Sequence, residues 1–283
     1  MGLFSTWLGL ERCVPRQANI LGPANDLNFL LKKSSEYCEL LRRATISYTC
    51  REKIVEESFL PIPESVKEYV QGKIEPGEKG KKPRVIRKSS EYEYRVRILS
   101  GVIEERRTPL EDQKEGHNET AAHLRTEALF LEPAGFFSRE KQPHFHFELK
   151  KTERLMGENA YVVTAHLKDE KRGHNLSAKI WLSQRNFGVL RIEKLQDTLG
   201  RYDDLIKDPE LKRAAVHQKT IVEFNCEYQE LRFPTFFNAE EYYYQIIERS
   251  FFLGFSTKRQ LRLRFSATYE KIDFDISSPL DKL

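Results

Sequence analysis

The segment HFHFELKKTERLMGENAYVVTAHLKD, residues 144–169, alternates apolar and polar side chains on both sides of a glycine turn. The apolar positions are Phe145, Phe147 and Leu149 before the turn and Tyr161, Val163, Ala165 and Leu167 after it. Successive side chains of a strand point to opposite faces, and each run therefore has one apolar and one polar face. With Gly157, Glu158 and Asn159 as the turn, the segment predicts an antiparallel hairpin.

The same period of two recurs along the rest of the chain. It appears in EYEYRVRIL (91–99), in NLSAKIWLSQRNFGVLRIEKLQ (175–196, with a turn near 184–186), in 219–231, around EYYYQIIERSFF and in 258–276. Many one-sided strands predict a large antiparallel sheet, and a sheet of that length must curl or close. We therefore predict an α+β fold, a curved antiparallel sheet in the form of a half-open β-barrel with a few helices.

Helical periodicity is strongest near the start of the chain. Apolar residues recur at three- and four-residue spacing between about Asn25 and Arg43, which predicts one amphipathic N-terminal helix. The segments 118–132 and 202–217 are weaker candidates for helix or loop. We expect residues 1–24 to form an extension and 25–283 a single domain with a flexible charged loop near 72–88.

Charge and hydropathy argue against a nucleic-acid-binding surface and against a membrane-spanning helix. The 47 basic and 43 acidic residues are interleaved and not gathered into blocks, which argues against nucleic acid. No apolar run reaches the roughly 18 residues that a membrane-spanning helix needs. The first 17 residues lack a basic start and a cleavage site, and they are a poor signal peptide.

No catalytic signature is visible. The chain lacks a G-x-S-x-G elbow and a phosphate-binding glycine loop. His144 and His146 lie two apart in a predicted strand, which is a weak metal signal, because the simpler interpretation places both on the wet face. We therefore expect no enzymatic activity, no cofactor and no metal.

A curved sheet needs apolar material against its concave face, either helices of its own chain or a ligand. Both alternatives remain open from the alternation alone. Aromatic residues between Arg232 and Ile247 indicate either a ligand-facing or partner-facing loop or the packing of strand ends. The candidate cavity-lining residues are Tyr94, Val96, Phe147, Tyr161, Val163, Trp181, Ile192 and Phe224.

The region from EYEYRVRIL to ATYEKIDFDIS resembles the outer-membrane lipoprotein-sorting superfamily, the LolA/LolB-like carriers. The resemblance lies in a hairpin with Trp181-Leu182 on one strand and Arg191-Ile192 on the return, and in a final strand with Tyr269, Ile272 and Phe274. It implies helices over an apolar cavity that holds acyl chains, in an exported or periplasmic monomer. The implied partners are a lipid acyl chain or lipoprotein and a membrane-associated protein, without nucleic acid. The alternative is a scaffold module with no lipid ligand.

The redox state of two cysteines depends on that location. In an exported chain, a reversal between helix and strand brings Cys38 near Cys50, and a disulfide would pin the helix to the sheet. In a cytosolic chain the same residues would be two buried thiols. Cys13 and Cys226 are expected to be free thiols in either case.

Overall fold

The computed structural model of the protein describes residues 26–60, 84–99, 102–110, 124, 126, 128–168, 176–197, 215–250 and 254–275. Within these residues the helices are α1 (Leu27–Arg43), α2 (Ala134–Phe137) and two short 3-10 helices, Leu129–Leu131 and Gln142–His144. The strands are β1 (Thr45–Leu60), β2 (Arg84–Leu99), β3 (Val102–Pro109), β4 (Phe145–Leu155), β5 (Glu158–Leu167), β6 (Leu176–Ser183), β7 (Val189–Asp197), β8 (Ala215–Glu223), β9 (Cys226–Tyr228), β10 (Leu231–Phe233), β11 (Phe236–Ser250) and β12 (Gly254–Phe274).

Ten of these strands form one open, curved antiparallel sheet. Its order from edge to edge is β3, β2, β1, β12, β11, β8, β7, β6, β5, β4, while β9 and β10 form a separate hairpin. Most neighbours are consecutive in the chain, but β1 pairs with β12, as in Glu52 opposite Tyr269. The predicted α+β fold with a large curved antiparallel sheet is confirmed.

Helix α1 begins at Leu27, two residues after the start predicted near Asn25, and ends at Arg43 as predicted. The Asp26 side chain accepts a hydrogen bond from the Asn28 backbone N–H at 2.9 Å, which caps the helix. Arg42 and Arg43 occupy the last turn, where the helix dipole favours positive charge. The buried side of the helix consists of Leu30, Ser34, Ser35, Tyr37, Cys38 and Leu41.

One continuous core lies between α1, the short helices and one face of the sheet, which we call the inner face. Aromatic rings interlock at its centre. The Phe233 ring lies 5.3 Å from Tyr48, 4.9 Å from Phe130 and 4.8 Å from Phe274, measured between ring centroids. The β9–β10 hairpin is held to α1 by the Arg232 backbone N–H, which donates to the Tyr37 hydroxyl at 2.9 Å.

Several predicted boundaries are corrected. Residues 84–88 of the predicted charged loop belong to β2, where Arg87 and Lys88 pair with Glu57 and Glu56 of β1. Basic side chains are tolerated there because that end of the strand is largely exposed. The predicted strand 219–231 divides between β8 and the β9–β10 hairpin.

Other predictions fall wholly or partly outside the described residues. The remainder of the charged loop, most of 118–127 and residues 202–214 are among them, as are residues 1–24. The division into an extension and one domain therefore stays a prediction. Among the described residues, no helix is long and apolar enough to cross a membrane.

Candidate functional site

Seven of the eight predicted lining residues lie together on the inner face. Each is at most 8% exposed, and all belong to the same core cluster. They are contributed by β2, β4, β5, β7 and the residue that follows β8, and they are Tyr94, Val96, Phe147, Tyr161, Val163, Ile192 and Phe224. The alternation of apolar residues is therefore a correct guide to this face.

Trp181 does not join them. It lies on the opposite, outer face in a small second cluster with Ala160, Val162 and Leu190. The neighbours Ile180 and Leu182 belong to the inner core, and strand alternation therefore sends the indole outward. A continuous apolar run such as IWL gives no signal of which residue faces which side.

The Trp181 indole is sealed by charged side chains. The Lys179 Nζ lies 4.3 Å from the ring centroid and the Arg191 guanidinium carbon 5.4 Å from it. The indole Nε1–H donates to Glu153 Oε1. The aliphatic stems and cationic heads of these residues cover the ring, which leaves it 3% exposed.

The protein's own helices cover most of the inner face. Phe137 of α2 stacks on Phe147 at a centroid distance of 5.6 Å, and Phe136 contacts Phe145 at 5.2 Å. Leu30, Cys38 and Leu41 of α1 are fully buried in the same core. Of the two alternatives that the sequence left open, helices of the same chain cover the described inner face, and a groove lies at its border.

That groove lies between the N-terminal half of α1 and the start of β4, and its volume is about 360 Å³. It is lined by Leu27, Leu31, Gln142, Pro143, Phe145, His146, Phe147 and Lys168. Among the predicted lining residues, only Phe147 reaches it. Sequence reasoning missed Leu27 and Leu31 because helical periodicity assigns them to the core without showing which part of the sheet they approach.

Gln142 connects two of the elements that form the wall of this groove. Its Nε2 donates to the backbone carbonyls of Leu31 at 2.8 Å and Phe137 at 2.9 Å, and it thereby ties α1 to α2. The apolar wall of the groove is therefore formed by elements that are joined to one another. Lys168, and His146 at the exposed edge of β4, complete its lining.

The buried carboxylate of Glu52 on the inner face is neutralised by Arg107. Glu52 is buried and accepts from Arg107 Nε at 2.6 Å and from Arg107 Nη2 at 3.2 Å. The same guanidinium lies 4.3 Å from the Tyr94 ring centroid. Burial raises the pKa of the Tyr94 phenol, and the phenol therefore stays protonated at neutral pH.

The structure contains Cys38 and Cys50 as free, buried thiols and Cys226 as a free, half-buried thiol. Burial raises the pKa of Cys38 and of Cys50 to about 12. The Cys226 thiol contributes to the raised pKa of Cys50. The disulfide expected for an exported chain is not formed in this structure, and thiols in this state are unreactive.

Among known proteins, similarity to this chain was found only in solved structures. No family model matches the chain, and no curated protein matches it. The chain is similar to LolA superfamily proteins. The LolA superfamily protein NE2245 from Nitrosomonas europaea is 12% identical, with 86% of this chain and 92% of that chain covered and a TM-score of 0.31.

Two further solved structures have similar values. A putative outer membrane lipoprotein-sorting protein domain from Vibrio parahaemolyticus is 10% identical, with 89% and 94% covered and a TM-score of 0.33. The MucA/MucB complex of Pseudomonas aeruginosa gives 11% identity, 85% and 94% covered and a TM-score of 0.27. The resemblance stated from the sequence thus recurs among solved structures, and these values say nothing of what this chain binds.

Proposed function

We propose that this chain is a non-enzymatic binding protein of the cell envelope that holds an acyl chain of a lipid or lipidated polypeptide. The observation that carries the proposal is the groove beside α1, which has apolar walls and lies at the border of the apolar inner face. Its volume of about 360 Å³ falls within the range of small-molecule sites. Each methylene buried there contributes roughly 0.8 kcal/mol, and no catalytic group is needed to hold the ligand.

The lining of the groove suits an amphiphile. Leu27, Leu31 and Phe147 offer apolar contact to the chain, and Lys168 can pair with an anionic head group. Beyond Phe147 the proposed path continues over the other inner-face residues, Tyr94, Val96, Tyr161, Val163, Ile192 and Phe224. A longer ligand would reach them only by displacing α1 and the short helices from the sheet.

The proposed setting follows the sequence resemblance to lipoprotein-sorting carriers. In that setting the chain is exported or periplasmic, acts as a monomer, and receives or delivers its ligand at a membrane-associated protein. Trp181 is not part of the proposed site, because its side chain lies on the outer face.

Two leucines of α1 provide a matched test of the groove. Leu31 is half-buried and lines the groove, whereas Leu40 lies on the same helix and is 55% exposed. Delipidated protein would be titrated with a fluorescent long-chain fatty acid. We expect Leu31→Gln to weaken binding about tenfold, equivalent to about 1.4 kcal/mol, and Leu40→Gln to change it less than twofold.

Equal effects of the two substitutions would contradict the groove as the site. A wild-type protein that binds no fatty acid while keeping its fold would contradict the proposal as a whole. Circular dichroism of all three proteins would exclude unfolding as the cause.

The second candidate function is a scaffold module that binds a protein partner and no lipid. It is favoured by the complete burial of Leu30, Cys38 and Leu41, which shows that α1 already occupies the inner face. A folded wild-type protein without fatty-acid binding is the outcome that selects it.

A further inference from the structure

His146 and His166 face each other across the β4–β5 hairpin. They are direct register partners, with Phe145 opposite Leu167 and Phe147 opposite Ala165 on either side. The first irregularity in this pairing comes later, between Leu149 and Lys151. The histidines therefore lie in a regular part of the ladder.

Strand alternation places both histidines opposite the inner face, and His146 also borders the groove where β4 forms the edge of the described sheet. Phe145, Phe147 and Ala165 belong to the inner core, and strand alternation places the residues between them on the other side. His146 and His166 are both exposed. The Cβ atoms of directly opposite residues lie about 4.5–5.5 Å apart, a separation from which two imidazoles can reach one ion at about 2.0–2.1 Å.

The surroundings leave the pair accessible. Strand β4 is an edge of the ten-stranded sheet, and among the described strands only β5 lies beside His146. Glu148 is the next outward residue of β4, and its carboxylate is paired with Lys150 Nζ at 2.5 Å.

We propose that His146 and His166 together bind one divalent transition-metal ion of the kind that prefers imidazole, Cu²⁺, Ni²⁺ or Zn²⁺. The described part of the chain contains no group of three or more metal-ligating side chains. The ion would therefore have two protein ligands, with water in the remaining positions. Structural zinc sites instead have four protein ligands, and this site is an open, exchangeable one.

The sequence pattern pointed to a different pair. His144 and His146 are two apart, but His144 ends the 3-10 helix before β4 begins at Phe145. The partner of His146 is twenty residues further along the chain, and only the register of the hairpin reveals it. The inference does not rest on the proposed function.

Titration calorimetry of the full chain with Ni²⁺ tests the site. We expect one ion per chain in the wild type and an affinity at least tenfold lower in His146→Asn and in His166→Asn, because each substitution destroys the chelate. His144→Asn is the matched control, since His144 is exposed and adjacent to β4, and it should change the affinity less than twofold.

Thermal unfolding gives a second measurement. An ion that binds only the folded state raises the Tm, and Ni²⁺ should do so for the wild type and His144→Asn but not for the other two variants. Absence of wild-type binding, or equal affinity in all four proteins, would overturn the proposal. His166 does not line the groove, and fatty-acid binding by His166→Asn distinguishes a loss of metal from a loss of the proposed lipid site.

Discussion

The inner and outer faces of the sheet bury apolar residues by different means. On β6, Ile180 and Leu182 enter a core that joins nearly every described element, while Trp181 between them enters a cluster with three other buried residues. All three β6 side chains are at most 3% exposed. Equal burial therefore does not imply an equal contribution to stability.

The inner face is sealed by whole elements and the outer face by single side chains. Interlocked aromatic rings and α1 exclude water from the inner core. Over Trp181 the covering atoms belong to Lys179 and Arg191, and Arg191 is also paired with Glu223 at 3.2 Å. Long charged side chains can move aside at low cost, whereas a packed ring cannot be removed without a cavity.

The largest expected effect comes from emptying the inner core. Phe233→Ala removes a ring that contacts Tyr48, Phe130 and Phe274, and we expect it to lower the free energy of unfolding by about 3–5 kcal/mol. Urea denaturation would measure the change. The outer-face control Leu195→Ala starts from a side chain that is 41% exposed and should cost no more than about 0.5 kcal/mol. Similar losses for the two variants would break the comparison.

A smaller effect is expected at the outer cluster. Trp181→Phe keeps an aromatic ring but removes the N–H that donates to Glu153, and it should cost roughly 1–2 kcal/mol. The midpoint of urea denaturation at an unchanged m-value is the measurement. Fatty-acid binding should be unaffected; a weakened affinity would place Trp181 in the site despite its outward orientation.

The smallest expected effect is a difference in thiol reactivity between cysteines, with no change in the stability of the protein. In a Cys13→Ser variant at pH 8, we expect a thiol reagent to label Cys226 first. Cys38 and Cys50 should react only on unfolding, because burial raises their pKa to about 12 and blocks access. Counting thiols after denaturation without reductant also tests the disulfide prediction. Three thiols indicate free cysteines, and one indicates that Cys38 and Cys50 are joined.

The sequence by itself determined the local elements of this protein. The hairpin at Gly157, the hairpin around residues 184–186 and the helix α1 follow from periods of two and 3.6. Their bounds differ by one or two residues from the prediction, because Glu158 and Asn159 belong to β5 and the helix begins at Leu27 instead of near Asn25. The inner face of the sheet followed as well wherever apolar and polar residues alternate strictly. These features depend on neighbours within a few positions of one another, and a single sequence contains that information.

Only the tertiary structure decided what distant segments do together. The pairing of β1 with β12, the outward position of Trp181, the groove between α1 and β4 and the pairing of His146 with His166 all depend on register. A shift of one residue moves every side chain of a strand to the other face, and that choice is made by the packing of the whole sheet against its helices.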